Sequence, residues 1–303
     1  MMAGALPARI AQVKDAFAAK APLFKRAVDD QLDTFGEDWA QAFDEEISVY
    51  FNDNNAMIEN AVEGYGRFCI EAMRLQRRFD KTLRYDDISY AEALEAVYQN
   101  DAYMRSVYLP ALLLSHYMWP HHFRQLQWVR ENFFSRLTGG DFRTFCDVGI
   151  GTGFYSKELL RALPGMRGWG FDISDSSIDH TDLMLQRWAL SDRYTTRKQE
   201  VGKEVDGGFD CCLSVELLEH LEDPNVLLRS IRGVMRDGAL GLLTAALDAP
   251  NRDHIYLYRD NDSVRRQIEA SGFEVLQEAN FAAYEVGEDE TVPQAACFIV
   301  QAR

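Results

Sequence analysis

The sequence predicts an α/β fold whose mostly parallel sheet is preceded by an all-helical region. From about residue 139 onward, short apolar runs alternate with segments of helical periodicity, which is the pattern of a parallel sheet flanked by helices. Before that point, apolar residues recur at spacings of three and four, as at Ile10, Val13 and Phe17. The turn-forming run 138–141 (Thr-Gly-Gly-Asp) separates the two parts. We therefore expect a helical domain over residues 1–138 and a sheet domain over residues 139–303.

The N-terminal part contains seven predicted helices and no valine-rich run typical of a strand. The run Asp86–Ser89 is a suitable cap region for the Ala- and Glu-rich helix that begins near Tyr90. The predicted helices cover residues 7–20, 22–34, 36–51, 54–79, 88–99, 101–115 and 120–137.

Strands and helices alternate through the second part. Pro224 at a helix start and Gly272 at a helix end are typical cap residues. The last two strands, joined by an acidic loop at 285–291, are expected to pair antiparallel at the sheet edge. The predicted strands are 143–149, 167–173, 194–198, 209–215, 239–245, 273–277 and 295–302, and the predicted helices are 155–163, 176–190, 224–235 and 263–271.

Composition and charge narrow the class of protein. The 303 residues, 47% of them hydrophobic, suffice for two domains or one large domain with a substantial core. Asp and Glu number 48 against 32 Lys and Arg, and the formal charge of −16 disfavours binding to nucleic acid or anionic lipid. We therefore expect a small-molecule substrate, with neither nucleic acid nor a membrane as partner.

Cysteine usage predicts a cytoplasmic protein. The five cysteines form no CxxC pair, and four of them fall in runs typical of buried strands, which indicates reduced, packed thiols. The N-terminus shows no signal-peptide run, and no apolar stretch reaches 18 residues.

A glycine-rich turn is the most informative motif. The apolar run 145–148 reads as a buried strand, after which Gly149, Gly151 and Gly153 alternate before a helix begins. Glycines permit a tight turn and let a ligand lie against the backbone. The dinucleotide fingerprint has the spacing G-x-G-x-x-G, so the third glycine comes one residue too early for it. About 20 residues further on, a second strand ends at Asp172, where a carboxylate can accept hydrogen bonds from both hydroxyls of a ribose.

This stretch resembles motif I of the class I S-adenosyl-L-methionine (SAM)-dependent methyltransferases, in which an acidic residue, here Asp147, precedes three alternating glycines. The run from Leu218 to Pro224 and the run Ala270–Val275 are similar to the family's strand-four and strand-six segments. The resemblance covers about 141–303 and leaves residues 1–138 unassigned. It implies a Rossmann-like seven-stranded, mostly parallel sheet of order 3-2-1-4-5-7-6 with strand 7 antiparallel, and SAM as cofactor.

The resemblance also assigns cofactor roles to individual residues. Asp147 and the glycine loop would face the methionine part of SAM, Asp172 would hold the ribose, and Ile173 would cover the adenine. Glu200 and Val201 stand where the family usually has Asp-Ala, and would contact the adenine amino group and a ring nitrogen; an exposed charged loop is the alternative. Ser214 or Val215 would offer a carbonyl to the SAM ammonium. The predicted cofactor-binding set is Asp147, Gly149, Gly151, Gly153, Asp172, Ile173, Glu200, Val201, Ser214 and Val215.

The catalytic candidates are Glu216, His220 and His254. Glu216 and His220 would share one face if the segment after strand four were helical, and either could be a general base or hold the acceptor. The alternative for His220 is a capping or packing role. His254 precedes Tyr256 and Tyr258 in an alternating run, which would place all three on one side of an extended segment.

A patch of histidines and aromatics at 116–123 suits the wall of a closed pocket. Aromatic rings can contact a sulfonium through their negative faces. Interdomain packing and a metal site are the alternatives, and no metal is assigned. The candidates for a substrate or lid role are His116, Tyr117, Trp119, His121 and Tyr256.

The sequence thus predicts methyl transfer from SAM to an oxygen, nitrogen or carbon of a small molecule, with the helical part as a lid that selects the acceptor. One alternative enzyme would use the aminocarboxypropyl arm of SAM and release methylthioadenosine. Another alternative is a SAM-binding protein without turnover. A homodimer is a further possibility, because helical N-terminal regions of such enzymes are a usual place for dimerisation.

Overall fold

The computed structural model describes residues 7–201, 207–285 and 291–303, and its N-terminal part is helical, as the apolar periodicity predicts. Three long helices are followed by five short ones, with single π-helical turns at Leu94–Tyr98, Met104–Tyr108 and Val129–Phe134. The helices are α1 (Ala8–Lys20), α2 (Ala27–Val49), α3 (Asn55–Thr82), α4 (Tyr90–Ala93), α5 (Asp101–Tyr103), α6 (Leu109–Met118), α7 (Pro120–Trp128) and α8 (Ser135–Thr138).

Local signals account for the helix boundaries. The sequence predicts separate helices on either side of residue 35, and the structure has one helix, α2, that is kinked at Gly36, where φ is +64°. Within the predicted cap region, Ser89 forms the cap: its side chain accepts from the Glu92 amide, and the Glu92 carboxylate accepts from the Ser89 amide.

The sheet has seven strands in the order β3-β2-β1-β4-β5-β7-β6, which confirms the predicted topology. Strand β7 runs antiparallel to both of its neighbours, and the other pairs are parallel. The acidic loop predicted before β7 falls largely on residues 286–290, outside the described part of the chain. The strands are β1 (Thr144–Val148), β2 (Arg167–Asp172), β3 (Tyr194–Lys198), β4 (Phe209–Ser214), β5 (Met235–Leu247), β6 (Phe273–Ala282) and β7 (Gln294–Ala302).

Helices between the strands complete the α/β domain. They are α9 (Phe154–Ala162), α10 (Asp175–Arg187), α11 (Pro224–Val234) and α12 (Asn261–Ala270). All five cysteines are buried and free, four of them in strands as the sequence predicts. Among the described residues, no helix combines the length and the apolar character that crossing a membrane requires.

The helical part and the sheet share one hydrophobic core. A single cluster of buried side chains includes Trp39 and Phe43 of α2 together with Leu159 of α9 and Leu213 of β4. The two parts therefore pack as one continuous interior.

A buried ion pair crosses the same junction. The Lys157 ammonium on α9 lies 2.5 Å from a carboxylate oxygen of Glu46 on α2 and 2.9 Å from Glu158. The Tyr117 hydroxyl donates to the same oxygen of Glu46 at 2.8 Å. Lys157 and Glu46 are almost completely buried, so their charges depend on these buried partners for compensation.

We expect Glu46→Ala to lower the free energy of unfolding by about 3 kcal/mol, because it leaves the Lys157 ammonium buried with one partner fewer. Glu45→Ala is the matched control: it removes a part-exposed pair with Arg161 across the same two helices, and should cost less than about 1 kcal/mol. Urea titration of both variants measures the difference. Equal losses would mean that burial of the pair contributes nothing.

Candidate active site

A cavity of about 1190 Å³ opens between the carboxyl ends of the strands and the N-terminal helices. Parallel sheets present their ligand sites at this edge. Most of the predicted cofactor residues line it: Asp147, Gly149, Gly151, Asp172, Ile173, Glu200, Val201 and Val215.

Two predicted cofactor residues lie behind the cavity wall. Ser214 at the end of β4 is buried, and its hydroxyl has no hydrogen-bond partner among the described residues. Gly153 caps α9 in the left-handed conformation, and a Cβ there would lie 2.7 Å from the Thr181 side chain. Gly153 therefore permits the tight turn before α9, and its surface faces the Thr181 side chain and not a ligand.

The glycine loop has the geometry that its sequence predicts. Gly149 and Gly151 have φ of +74° and +51°, a region that residues with a Cβ rarely adopt. A Cβ on Gly149 would meet the Leu217 side chain at 2.7 Å, whereas a Cβ on Gly151 would meet nothing within 4 Å. The backbone at Gly151 is therefore open to a ligand in the cavity.

Two carboxylates flank this loop. Asp172 accepts hydrogen bonds from the amides of Gly151 at 3.2 Å and Ser174 at 2.8 Å, and Asp147 accepts from the Ser156 hydroxyl at 2.6 Å. Removal from water raises the pKa of Asp147 to about 7 and the pKa of Asp172 to about 6, although these hydrogen bonds oppose the rise. A ligand that brings positive charge or hydroxyl donors would therefore stabilise the ionised form of both carboxyl groups.

Tyr90, which sequence reasoning missed, lies at the same end of the cavity. Burial raises its pKa, and the nearby carboxylates of Glu200 and Asp172 raise it further. Its amide donates to Glu222, so the start of α4 is attached to the loop after β4. No sequence motif marks Tyr90, because it reaches the site from the helical part of the fold.

The segment after β4 is not the helix that would align Glu216 with His220. Glu216 has φ of +50°, and only Leu218–His220 forms a single 3₁₀ turn. The Glu216 amide donates to the Thr244 hydroxyl, which in turn donates to the Glu216 carboxyl. Burial, and then the nearby Glu219 carboxylate, raise the pKa of Glu216 to about 8. Glu216 is therefore mostly protonated at neutral pH.

His220 is a buried imidazolium. Its Nε2 donates to the Glu216 carbonyl at 3.1 Å, and its Nδ1 lies 3.3 Å from the Asp253 carboxylate. Burial lowers its pKa, but Asp253 outweighs that effect and the pKa rises to about 9, while the pKa of Asp253 falls well below its usual range. Tyr98 and Tyr108 of the helical part both donate to Asp253. Both ring nitrogens of His220 act as donors, so this side chain orients its neighbours and is not available as a base.

His254 has the opposite character. Its Nδ1 lies 2.5 Å from the Ala249 carbonyl and must carry the proton, because a carbonyl oxygen only accepts. Burial and the positive charge of His220 lower the pKa of His254 to about 4, so the ring is neutral. Its Nε2 makes no hydrogen bond with any described residue, and the side chain lines the cavity. His254 therefore presents an unshared electron pair to a bound molecule.

Glu219 is a second residue that sequence reasoning missed. It is fully buried against the cavity, and burial raises its pKa. Neither carboxyl oxygen has a hydrogen-bond partner among the described residues, and Oε1 lies 3.9 Å from the His220 Nε2. Ligand-type atoms of Glu219, His220 and His254 lie within 4.8 Å of one another. A metal ion would need an electron pair from His220, but both nitrogens of His220 donate hydrogen bonds. The cluster therefore suits an oxygen atom of a bound molecule, held by several of these groups, better than it suits a cation.

Only some of the residues predicted to form a substrate or lid wall have side chains that face the cavity. His116, Trp119 and His121 line the cavity, and burial lowers the pKa of both histidines, so these side chains are uncharged. Tyr117 does not line it, because its hydroxyl points to Glu46. Tyr256 does not line it either: its segment is not extended, and its hydroxyl accepts from Gln267.

The chain resembles known proteins, first of all over its sheet domain. Residues 146–240 match the family model described as "Methyltransferase domain". Among curated proteins, the chain is 28% identical over 115 residues to the ubiquinone biosynthesis O-methyltransferase of Bordetella avium (38% of this chain, 45% of the relative) and 26% identical over 134 residues to that of Nitrosomonas europaea (41% and 55%). The chain thus spans about half the length of the curated relatives it matches.

Solved structures support the same fold. The chain is 14% identical to the mitomycin 7-O-methyltransferase MmcR, with a TM-score of 0.54 and coverage of 82% of this chain and 72% of that one. It is 15% identical to the structure described as PigF with SAH, with a TM-score of 0.56 and coverage of 80% and 73%. At such identities the likeness concerns the fold, and here it extends beyond the sheet into the helical part.

The His220–Asp253 pair predicts a specific pH dependence of stability. Because the folded pKa of His220 lies above the unfolded value of 6.5, its stabilisation is complete below pH 6.5 and is lost as pH rises through about 9. We expect wild-type protein to lose up to about 3 kcal/mol more than His220→Gln over this interval. Urea unfolding of both proteins at pH 6.5 and above 9 measures the difference. Glu216 titrates in both proteins, but at a higher pH in His220→Gln, because the imidazolium no longer lowers its pKa; this reduces the expected difference. Parallel losses in the two proteins would contradict the ion pair.

Proposed function

We propose that this chain, whose sheet domain belongs to the class I SAM-dependent methyltransferases and has SAM as its cofactor, transfers a methyl group to a hydroxyl oxygen of an uncharged small molecule. The observation that carries the proposal is one continuous cavity. It joins the glycine loop and Asp172 at one end to the free Nε2 of His254 at the other.

The cofactor end of the cavity fits SAM by its chemistry. Asp172 supplies carboxylate oxygens for two ribose hydroxyls, and Ile173 is placed beside them for the adenine. Gly151 leaves its surface open. The pKa of Asp147 is about 7 in the empty cleft, and a bound ammonium group would lower it, so that Asp147 then provides negative charge. Glu200 and Val201 line the same end and are assigned to the adenine edge.

The acceptor end fits a hydroxyl group. When bound, SAM supplies a methyl group on a positively charged sulfur, which is already reactive. The protein then has to align the acceptor oxygen and exclude water. The neutral His254 imidazole takes the hydroxyl proton on Nε2 as the oxygen–carbon bond forms, and the Ala249 carbonyl keeps the ring in the necessary tautomer. Glu219 holds the same oxygen by a hydrogen bond.

The assignment to oxygen has two supports. A histidine whose tautomer is fixed helps a hydroxyl most, because nitrogen and activated carbon nucleophiles can react without a base. The curated relatives are named as O-methyltransferases. The helical part forms the opposite wall of the cavity through His116, Trp119 and His121, and we assign it the role of a lid that selects the acceptor.

We expect Asp172→Asn to weaken SAM binding by about one to two orders of magnitude, because a charge-assisted hydrogen bond contributes about 1.5–3 kcal/mol. Since the pKa of Asp172 in the empty cleft is about 6, wild-type affinity should also fall as pH drops below 6. Asp175→Asn, a change in an exposed pair with Lys198, is the control. Calorimetry with S-adenosylhomocysteine measures both effects, and unchanged affinity in Asp172→Asn removes the ribose assignment.

His254→Asn should reduce kcat by about 10²–10⁴-fold and leave SAM affinity unchanged. The asparagine amide can still donate to the Ala249 carbonyl, but it offers no nitrogen electron pair. Tyr256→Phe, beside the site but off the cavity wall, should keep kcat within about twofold. If His254→Asn turns over like wild type, another group accepts the proton.

The reaction itself is tested with SAM carrying an isotopic methyl label, incubated with the protein and a metabolite extract and followed by mass spectrometry. Label in a new methyl ether, with S-adenosylhomocysteine formed, supports the proposal. Label retained in methylthioadenosine would indicate use of the aminocarboxypropyl arm. SAM that binds but stays intact would indicate a protein without turnover.

A further inference from the structure

Exposed apolar side chains surround the mouth of the cavity. Seven large hydrophobic side chains are exposed among the described residues, and four of them line this cavity: Leu23 (66%), Met73 (42%), Val226 (56%) and Tyr284 (51%). They come from the 3₁₀ turn Pro22–Phe24, from α3, from α11 and from the segment after β6, so four separate elements place one there. Isolated exposed hydrophobics are ordinary, but several converging on one opening indicate a binding surface.

The wall inside this rim is also apolar. Phe24, Tyr65, Phe68 and Cys69 continue inward from Leu23 and Met73, and Leu227 continues inward from Val226. A Cβ at Gly66 of α3 would lie 2.8 Å from the Ala21 side chain, so the turn that carries Leu23 and the helix that carries Met73 are packed together. An apolar path therefore runs from the mouth toward Trp119 and the histidine wall.

Charge along the cavity excludes an anionic acceptor. Arg26 and Arg77 are the only Lys or Arg side chains among its described lining residues; both are exposed, and Arg26 pairs with Asp30. His220, the one buried cation among the wall residues that the structure describes, is already paired with Asp253. Nine carboxyl groups line the same space: Asp30, Asp80, Asp147, Asp172, Glu200, Glu216, Glu219, Glu222 and Asp223. A carboxylate or phosphate on the acceptor would find repulsion and no buried partner.

The cavity is also larger than one ligand needs. Its volume of about 1190 Å³ exceeds the roughly 300–1,000 Å³ typical of a site for one drug-sized molecule. Space therefore remains between the cofactor end and the rim for a second molecule of substantial length.

We propose that the acceptor is an uncharged amphiphile, with its hydroxyl group at His254 and Glu219 and an apolar chain that leaves the cavity over Leu23, Met73 and Val226. The identification of the hydroxyl end rests on the proposed function. The apolar exit rests on the rim and the charge distribution, which are independent of the reaction.

The test is binding of 4-alkylphenols with unbranched chains of two to eight carbons, measured by calorimetry with the S-adenosylhomocysteine-loaded protein and below micelle-forming concentrations. A buried methylene contributes about 0.8 kcal/mol, so Kd should fall by up to about fourfold for each added carbon until the chain passes the rim. A phenol whose ethyl chain ends in a carboxylate, which keeps the charge inside the cavity, should bind at least tenfold more weakly than the ethyl compound. Affinity independent of chain length, or equal affinity for the carboxylate, overturns the inference.

Single variants locate the exit. Met73→Gln and Val226→Gln should each reduce the ratio of octyl to ethyl affinity by about fivefold to tenfold, because each replaces an apolar contact with a polar one. Leu276→Gln is the matched control, since Leu276 is also exposed (37%) but does not line the cavity. A reduced ratio in the control, or an unchanged ratio in both rim variants, contradicts the assigned path.

Turnover of the same phenols separates the two proposals. Affinity that rises with chain length, without methylation of any member, supports the apolar exit and contradicts O-methylation of this class. Methylation at equal efficiency for all lengths supports the reaction and contradicts the exit.

Discussion

The buried Asp253 carboxylate is the constraint on which the acceptor half of the site depends. It accepts hydrogen bonds from Tyr98 and Tyr108 of the helical part, and it holds His220 of the loop after β4 as an imidazolium. Leaving such a charge without partners would cost several kcal/mol, so the three donors must stay together. Through this one group, the helical wall, the sheet edge and the segment that carries His254 keep a common geometry.

Burial in this site gives its ionisable groups different protonation states and therefore different roles. His220 is charged because Asp253 outweighs burial, whereas His254, whose ring centre lies 4.7 Å away, is neutral because burial and the charge of His220 act together. Glu216 keeps its proton at neutral pH because burial raises its pKa. Two adjacent histidines thus differ in function, one fixing geometry and one offering an electron pair, although their side chains are chemically identical.

The junction between the helical part and the sheet combines packing with charge. Lys157 follows the glycine loop directly, at the start of α9, and its pair with Glu46 attaches that loop to α2. The helical wall then places the uncharged histidines inside the cavity and part of the apolar rim at its mouth. Cofactor contacts, proton acceptance and recognition of an apolar chain are in this way distributed along a single cavity whose walls come from both parts of the chain.

Apolar periodicity in the sequence predicted the helical first part and the alternation of strands and helices after it, because both are local backbone geometry that needs few distant partners. The order of the strands and most of the cofactor residues were implied only by the resemblance to a known family, because strand order and a ligand site depend on distant partners that periodicity does not describe. The sequence could not distinguish His116 from Tyr117, since neighbours on a helix point about 100° apart and only packing decides which one faces the cavity. It missed Tyr90 and Glu219, and it could not separate the roles of His220 and His254. Their protonation and placement arise from burial and from partners such as Tyr98 and Asp253, which lie more than a hundred residues apart in the chain and are brought together only by the tertiary structure.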